Sequence, residues 1–550
     1  MYDAELRVAV IGGGVSGLSA VYELTQRAIE QQRPLSVTLF EKCQDVGGNA
    51  VSGWCSLGRQ ARQGQQLLRF VDLGVNDLNL DAYPLVAEAM ARVGYDELRE
   101  LENSECYYTP EGQVRFTLDG EMRAGTSLAG FDFDQIEGGD LPRLQALIVA
   151  KANRIIGDQD DPNLDMTVGR FFADCIEQPY PTLHDPDLPW PSAQQWADAA
   201  FVRRLSRLVA RLRDEFFLPR MSAMYFADER GPQEIPLAVP FCYYRTQEGQ
   251  SGGHAHKPRR RYFGTGSQRW LERLAHWLGE LNRQTPPITV SILTGREARV
   301  TVAPDGFEVV SRDGDGAVRT GRFDRCVVAT HADEAAALLH FGEAPALRAQ
   351  ENLLRGEVLE RIRYSRSVAV AHTWSGVLPP APALWRAYNI LIRDGCALQP
   401  YSITYVCNRH QNDALNTLYD RAGLPPFFVT LNPQRPVPQE FILRWATPPE
   451  LDEAQRQGLS RGALARGQAA GLGAERDADQ AVAWFRHNVL DRAGYEAQKT
   501  LRVYHEKLSG STQAPLYFTG GWSRGAGLHE ECWRQARDLA AWLLPARRAC

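Results

Sequence analysis

The densest set of chemistry-bearing residues lies within the first fifty positions. Gly12-Gly13-Gly14-Val15-Ser16-Gly17 carries the spacing G-x-G-x-x-G, and Glu41 stands 24 residues after Gly17. The three spaced glycines have separate uses. Gly12 permits a tight turn, Gly14 lets the backbone approach a diphosphate, and Gly17 lets a helix lie close on a sheet. A helix N-terminus leaves amides unpaired and carries partial positive charge, which suits phosphate oxygens. A carboxylate at position 41 accepts hydrogen bonds from a ribose and disfavours a ribose bearing a 2′-phosphate. The chemistry implied is capture of a dinucleotide, with NADP disfavoured.

A glycine-rich turn alone is weak evidence, so its weight rests on the elements that position it. Arg7–Ile11 (RVAVI) reads as a buried parallel strand, and Val15 to about Ala28 as a helix with Leu18, Val21, Tyr22 and Leu24 on its apolar side. Pro34 breaks the chain, and Ser36–Phe40 reads as the second strand, ending at Glu41. At the other end of the chain, Pro515–Thr519 reads as a strand. It is followed by the glycine-rich run Gly520–Glu530 and a helix from about Glu531 to Leu544. A third set holds strands at Ile288–Ile292 and Phe307–Val310 and the segment Asp324–His331. Helices are expected at Leu141–Ile155 and Ala193–Phe217.

After Glu41 the chain reads Lys42-Cys43-Gln44-Asp45-Val46-Gly47-Gly48-Asn49. Here it resembles the flavin amine oxidase and phytoene desaturase superfamily, in which an acid is followed by a Gly-Gly pair beside the FAD phosphates and ribityl chain. Many members have a basic residue just before that pair, where this chain has Asp45-Val46, so an arginine contact at that point is not expected. Val71–Asn76 is similar to the family's next element, which approaches the flavin ring. The C-terminal run resembles its last FAD motif, with the start of the helix aimed at the flavin pyrimidine edge. The pair Ala329-Thr330 matches a strand end on the adenine side, with backbone contacts from 296–300.

The resemblance implies non-covalently bound FAD. The cofactor contacts it implies are Gly12, Gly14, Val15, Ser16, Gly17, Glu41, Lys42, Gly47, Gly48, Asn49, Ala329, Thr330, Gly520, Gly521, Trp522, Gly527, Leu528 and His529. Strings at 329–333, 403–411 and 429–433 further resemble a bacterial subgroup of predicted NAD/FAD-binding proteins often linked with lipid modification.

The fold expected is α/β, a Rossmann-type FAD-binding domain with an inserted α+β substrate domain, in the amine oxidase-like two-domain architecture. Residues 1–95, 255–345 and 510–550 would form the discontinuous FAD-binding domain, and 96–254 and 346–509 the substrate domain. The 550 residues, 44% hydrophobic and 23% charged, suffice for a large core. A net charge of -6 disfavours a nucleic-acid or anionic-membrane partner. No run approaches the ~18 apolar residues of a membrane span, and a cytoplasmic location is expected. The ten cysteines show no CxxC spacing, so no metal site is expected.

Candidates for the catalytic face are Trp385, Tyr388, Asn389 and Tyr405, with an aromatic pair sandwiching a substrate nitrogen as in amine oxidases. Core packing is the competing role for each. Arg259–Arg261 in the loop 249–266 would attract an acidic substrate, against a plain solvated loop. His254 and His256 are weak metal candidates. His331 and His529 flank the FAD motifs, and Cys532 is expected to face away from the site. The function expected is oxidation of a C–N or C–C bond of an amine, amino acid or lipid-like substrate, with oxygen or another electron acceptor. A non-redox flavoenzyme such as a fatty-acid double-bond isomerase and a non-catalytic FAD-bound partner protein remain open.

Overall fold

The computed structural model of the chain describes residues 5–56, 68–119, 140–158, 161–188, 190–225, 227, 232–247, 260–284, 287–392, 401–411, 423–446, 475–477, 479–508 and 515–546. Its organising element is the β-branched run near the N-terminus, which forms the strand Leu6–Ile11. That strand lies at the centre of a five-stranded parallel sheet. The order is Ile288–Leu293, Leu35–Phe40, Leu6–Ile11, Arg325–Val328 and Leu516–Phe518. In register, Leu293 stands opposite Phe40, Phe40 opposite Ile11, Ile11 opposite Val328 and Val328 opposite Phe518. All five strands therefore end at one edge, where parallel α/β sheets bind ligands. The turns beginning at Gly12, Glu41, Ala329 and Thr519 leave from that edge.

Strand alternation divides the apolar residues between two cores. Val8 and Val10 join the layer that contains the helices Val15–Glu30, Ser267–Gln284 and His529–Leu543. Ala9 and Ile11 face the antiparallel strands Arg296–Ala303 and Gly306–Asp313. Trp533 of the C-terminal helix fixes the first layer, edge-on to Tyr22 at 5.7 Å and stacked on Trp270 at 5.9 Å. The last helix is thus a packing partner of the fingerprint helix as well as part of a motif.

A second, eight-stranded mixed sheet carries the other wall of the site. Its order is Glu475–Arg476, Val482–Asn488, Tyr364–His372, Phe428–Leu431, Ile403–Val406, Tyr388–Leu391, Ser104–Tyr108 and Val114–Asp119. Helices Asp140–Gly157, Val168–Glu177 and Ala199–Leu212 contribute to the core beneath it.

The expected helix over Ala193–Phe217 is broken. It runs as Ala193–Ala197 and Ala199–Leu212, because Asp198 leaves the helical conformation and its side chain caps Ala200 N at 2.8 Å. Arg213–Phe217 then winds as a π-helix into Leu218–Tyr225. Most of the expected low-complexity run 456–477 lies outside the described residues, as do His254, His256 and Arg259. No helix among the described residues is long and apolar enough to cross a membrane.

Two stability predictions follow from this packing. A Cβ at Gly17 would run into the Gly12 carbonyl oxygen, a backbone atom that cannot rotate away. Gly17→Ala should cost the apoprotein about 3 kcal/mol by overpacking, measured by denaturant unfolding; unchanged stability would contradict the close helix–strand approach. The second concerns Asp72, which is buried at the end of the strand Leu68–Asp72. Its Oδ1 accepts from Ser52 Oγ at 2.6 Å, Ser267 N at 2.8 Å and Ser267 Oγ at 2.9 Å, while Oδ2 has no partner among the described residues. Burial pushes this carboxyl up to about 7 despite the hydrogen bonds from Ser52 and Ser267. A folded-state value raised above the unfolded one means that the folded chain holds the proton more tightly. The associated stability is therefore complete below about pH 4 and is lost as pH rises to about 7. Thermal unfolding from pH 4 to 8 should show that loss in the wild type and a flatter profile in Asp72→Asn. Parallel profiles would refute it.

Candidate functional site

A cavity of about 970 Å³ opens at the common edge of the parallel strands and extends to the eight-stranded sheet. Its first wall is the fingerprint turn. Gly14 is the N-cap of Val15–Glu30 and supplies no side-chain cap, so the first helical amides are left for a ligand. Gly14, Val15 and Ser16 all line the cavity, and the nearest atom to a Cβ built on Gly14 is Gly48 Cα at 3.8 Å. Gly17 lies beneath the turn, and its role is the close approach already described.

Glu41 is held rigidly at the cavity wall, accepting from Gly13 N at 2.6 Å and Cys43 N at 2.8 Å. Gly47 N donates to Gly13 O at 3.0 Å, which pins the Gly47–Gly48 turn against the fingerprint. Lys42 and Asn49 also line the cavity, and Lys42 Nζ pairs with Glu334 at 2.8 Å.

The C-terminal run closes on this wall. Trp522 Nε1 donates to Thr330 O at 2.9 Å, joining it to the Ala329-Thr330 strand end. Gly520, Gly521, Gly527, Leu528 and His529 line the cavity beside them. Glu531 returns a carboxylate oxygen to Leu528 N at 2.9 Å and fixes the start of the helix. Burial pushes Glu531 up to about 7 against the amides of Leu528, Ala526 and Gly527. Burial also lowers His529 to about 4, which leaves it neutral near pH 7. Cys532 lines the cavity too, contrary to expectation, because the helix begins at His529 and places the fourth residue of its first turn inward. Together, uncapped amides, a fixed carboxylate and side-chain-free turns from three segments fit a dinucleotide such as FAD. Bound there, FAD would supply hydride and electron acceptance.

The second wall follows from strand alternation. Tyr388 pairs with Glu105 and Tyr405, and Ile390 with Ile403, which in turn pairs with Leu431; all six line the cavity. Asn389 and Thr404 alternate to the opposite face. There Asn389 Nδ2 donates to Arg386 O at 2.7 Å and Thr404 O at 3.1 Å. Trp385 is likewise occupied elsewhere, with Nε1 on Pro379 O at 2.8 Å and its ring edge-on to Phe428 at 5.6 Å. Neither Trp385 nor Asn389 lines the cavity, so both are corrected from site to scaffold. Tyr388 and Tyr405 contact each other edge-on at 5.5 Å, and both meet the His410 ring edge-on at 5.2 and 5.1 Å. Rings in mutual contact leave no slot between them for a substrate nitrogen.

Sequence reasoning missed the group at the centre of this wall. Asp77 Oδ1 accepts from Arg260 Nη1 at 2.9 Å, and its Oδ2 from Tyr388 Oη at 2.8 Å, with His410 Nε2 at 3.4 Å. Burial would raise the Asp77 carboxyl, but the His410 hydrogen bond and the Arg260 charge outweigh it and hold Asp77 well below its usual range. Arg260 also donates to Tyr243 Oη at 3.0 Å, so it is a compensated cation and not an open anchor for an acid. Arg220 and Glu105 form a second buried pair at 3.2 Å. Asp77 follows the Val71–Asn76 segment directly, and His410 lies inside a string already singled out. Their separation of 333 positions carried no pattern linking the two.

Gly14→Ala keeps the backbone unstrained, since Gly14 has φ -74 and ψ -176, but places a methyl where the ligand backbone must approach. FAD titration of the Gly14→Ala apoprotein should show affinity weakened at least tenfold, about 1.4 kcal/mol, with unfolding stability little changed. Unaltered affinity would contradict the assignment of this turn.

Comparison with known proteins agrees with this geometry. Residues 7–152 match the family described as FAD dependent oxidoreductase. A 54-residue stretch, 10% of this chain, is 39% identical to the mitochondrial electron transfer flavoprotein-ubiquinone oxidoreductase of Rattus norvegicus, and covers 9% of that protein's length. Among solved structures, cyclohexylamine oxidase from Brevibacterium oxydans superposes with TM-score 0.53 at 13% identity, over 98% of this chain and 99% of that one. A putrescine oxidase redesigned in its cofactor binding gives TM-score 0.51 at 14% identity, over 98% and 99%. Residues 7–152 are thus similar to the FAD dependent oxidoreductase family, in a chain whose fold is amine oxidase-like.

Proposed function

We propose that the protein oxidises a C–N or C–C bond of a substrate without fixed positive charge, by hydride transfer to FAD held in the cavity. In this reading 1–95, 255–345 and 510–550 bind the cofactor, and 96–254 and 346–509 supply the substrate side. The observation that carries it is the charge state of the eight-stranded wall. The two carboxylates there, Asp77 and Glu105, are each already paired with an arginine. The rest of that wall combines the neutral phenols Tyr388 and Tyr405 with the aliphatic Ile390, Ile403 and Leu431. An ammonium entering beside this wall would lose hydration and find both of these carboxylates already paired, a cost of several kcal/mol. A neutral amine or a hydrocarbon-like chain meets no such cost.

Within that wall, Tyr405 is the group assigned to substrate contact. Its ring lines the cavity and its hydroxyl has no hydrogen-bond partner among the described residues. Burial raises its phenol far above the usual value, so it acts as a neutral donor. Asp77 is a positioning residue that orients Tyr388 and Arg260.

Anaerobic titration of the holoenzyme tests the reading. Long unsaturated chains represent the apolar, uncharged class, cyclohexylamine an amine with one proton to shed, and putrescine the doubly charged class. Bleaching of the flavin by an apolar compound, at least about tenfold more efficient than by putrescine, is the expected result; the reverse order would refute it. Turnover of an unsaturated chain without net bleaching would point to isomerisation instead. Tyr405→Phe should lower kcat/KM about tenfold, the loss of one hydrogen bond of about 1.4 kcal/mol, while leaving FAD affinity unchanged.

A further inference from the structure

Two histidines stand inside the cofactor end of the cavity with no assigned role. His331 follows Thr330, whose side chain lies 3.3 Å and whose carbonyl oxygen 3.2 Å from the Cβ positions of Gly12 and Gly520 respectively. His487 precedes Asn488, whose Oδ1 lies 3.7 Å from the Cβ position of Gly521. Both imidazoles line the cavity beside the glycine turns of the two phosphate-facing motifs. His331 Nδ1 is buried with no hydrogen-bond partner among the described residues.

The cations near them are committed. Lys42 pairs with Glu334, and Arg486 pairs with Asp333 while lying 4.9 Å over the Tyr364 ring. The Tyr364 ring lies tilted against His331 with centroids 4.7 Å apart, and its hydroxyl accepts from Ala332 N at 2.7 Å. Directly before the Gly47-Gly48 pair the chain carries the apolar Val46. A pyrophosphate bound against these turns would therefore lack an uncommitted lysine or arginine among these neighbours.

We propose that His331 and His487 form an anion subsite for the FAD pyrophosphate, and that the pair takes up one proton from solvent as FAD binds. This rests on FAD occupying the cavity. Burial lowers both imidazoles, His331 further influenced by Glu334, Arg486, Asp333 and Lys42, and His487 to about 3 with His331 beside it. Burial thus favours the neutral form of both. Their mutual repulsion limits the pair to a single charge, and two phosphate charges favour that charge. The proton is shared by the pair, so its titration belongs to the pair and to neither histidine alone.

Calorimetric titration of the apoprotein with FAD, in buffers of different ionisation enthalpy at pH 7, reads the proton directly. The expected result is uptake of about one proton, with FAD affinity weakening up to tenfold per pH unit as pH rises. ADP-ribose, whose diphosphate is a diester like that of FAD, should produce the same uptake and adenosine none, which assigns the effect to the pyrophosphate. The double variant His331→Gln, His487→Gln should bind FAD with the uptake abolished, which separates these groups from Glu531. FAD binding with no uptake in the wild type, equal uptake with adenosine, or uptake preserved in the double variant would overturn the proposal. Should the double variant not fold, the comparison of ADP-ribose with adenosine on the wild type decides alone. Failure of FAD to bind the wild-type apoprotein would overturn the underlying reading of the cavity instead.

Discussion

The structure depends on one close approach, that of the helix Val15–Glu30 to the turn leaving the strand Leu6–Ile11. With no side chain at Gly17, the helix start lies against the Gly12 carbonyl. That contact sets the direction of the uncapped amides and brings Gly14 to the cavity rim. The Gly47–Gly48 turn then hydrogen-bonds to Gly13, and Glu41 is clamped by two amides. A bulkier residue at that point would displace the helix and every group referenced to it. The C-terminal helix reinforces the arrangement from the far side through Trp533 against Tyr22. A segment more than five hundred residues away is therefore needed to seat the fingerprint.

The opposite wall obeys a different constraint. Side chains on a strand alternate, so only every second residue of Tyr388–Leu391 and Ile403–Val406 can face the cavity. The inward set combines phenols with aliphatic residues, and the outward set builds the buried polar network of Asn389, Thr404, Thr430 and His372. Charges on the cavity side occur as closed pairs, Asp77 with Arg260 and Glu105 with Arg220. Buried pairs of this kind contribute little net stability. Their consequence is a wall that is polar in places yet neutral in sum, which is why a substrate without fixed charge is the better fit.

Much of the cofactor side was legible in the sequence because its signals are local. A β-branched strand, a glycine turn and an acid at the end of the next strand are read within forty residues. The strand boundaries expected there differ from those observed by one residue at most. The C-terminal motif was equally local. The substrate side was less legible, since the Asp77–His410 contact joins residues brought together only by the sheet. Some of what was missed had a signal. The alternation in Trp385–Asn389 already separates Tyr388 from Asn389, and Ser192 and Asp198, both good N-caps, mark the break in the helix over 193–217. The inward position of Cys532 turned on where the last helix begins, and a shift of two residues there rotates a side chain to another face.

The most direct test of the account is the cofactor content of the purified full-length chain. Absorbance of the native protein, followed by denaturation and analysis of the released chromophore, should give a flavin spectrum and about one FAD per chain free in the supernatant. A colourless protein that binds no added FAD, or a flavin that stays with the precipitated chain, would contradict a non-covalent FAD site assembled from the two ends and the middle of the sequence.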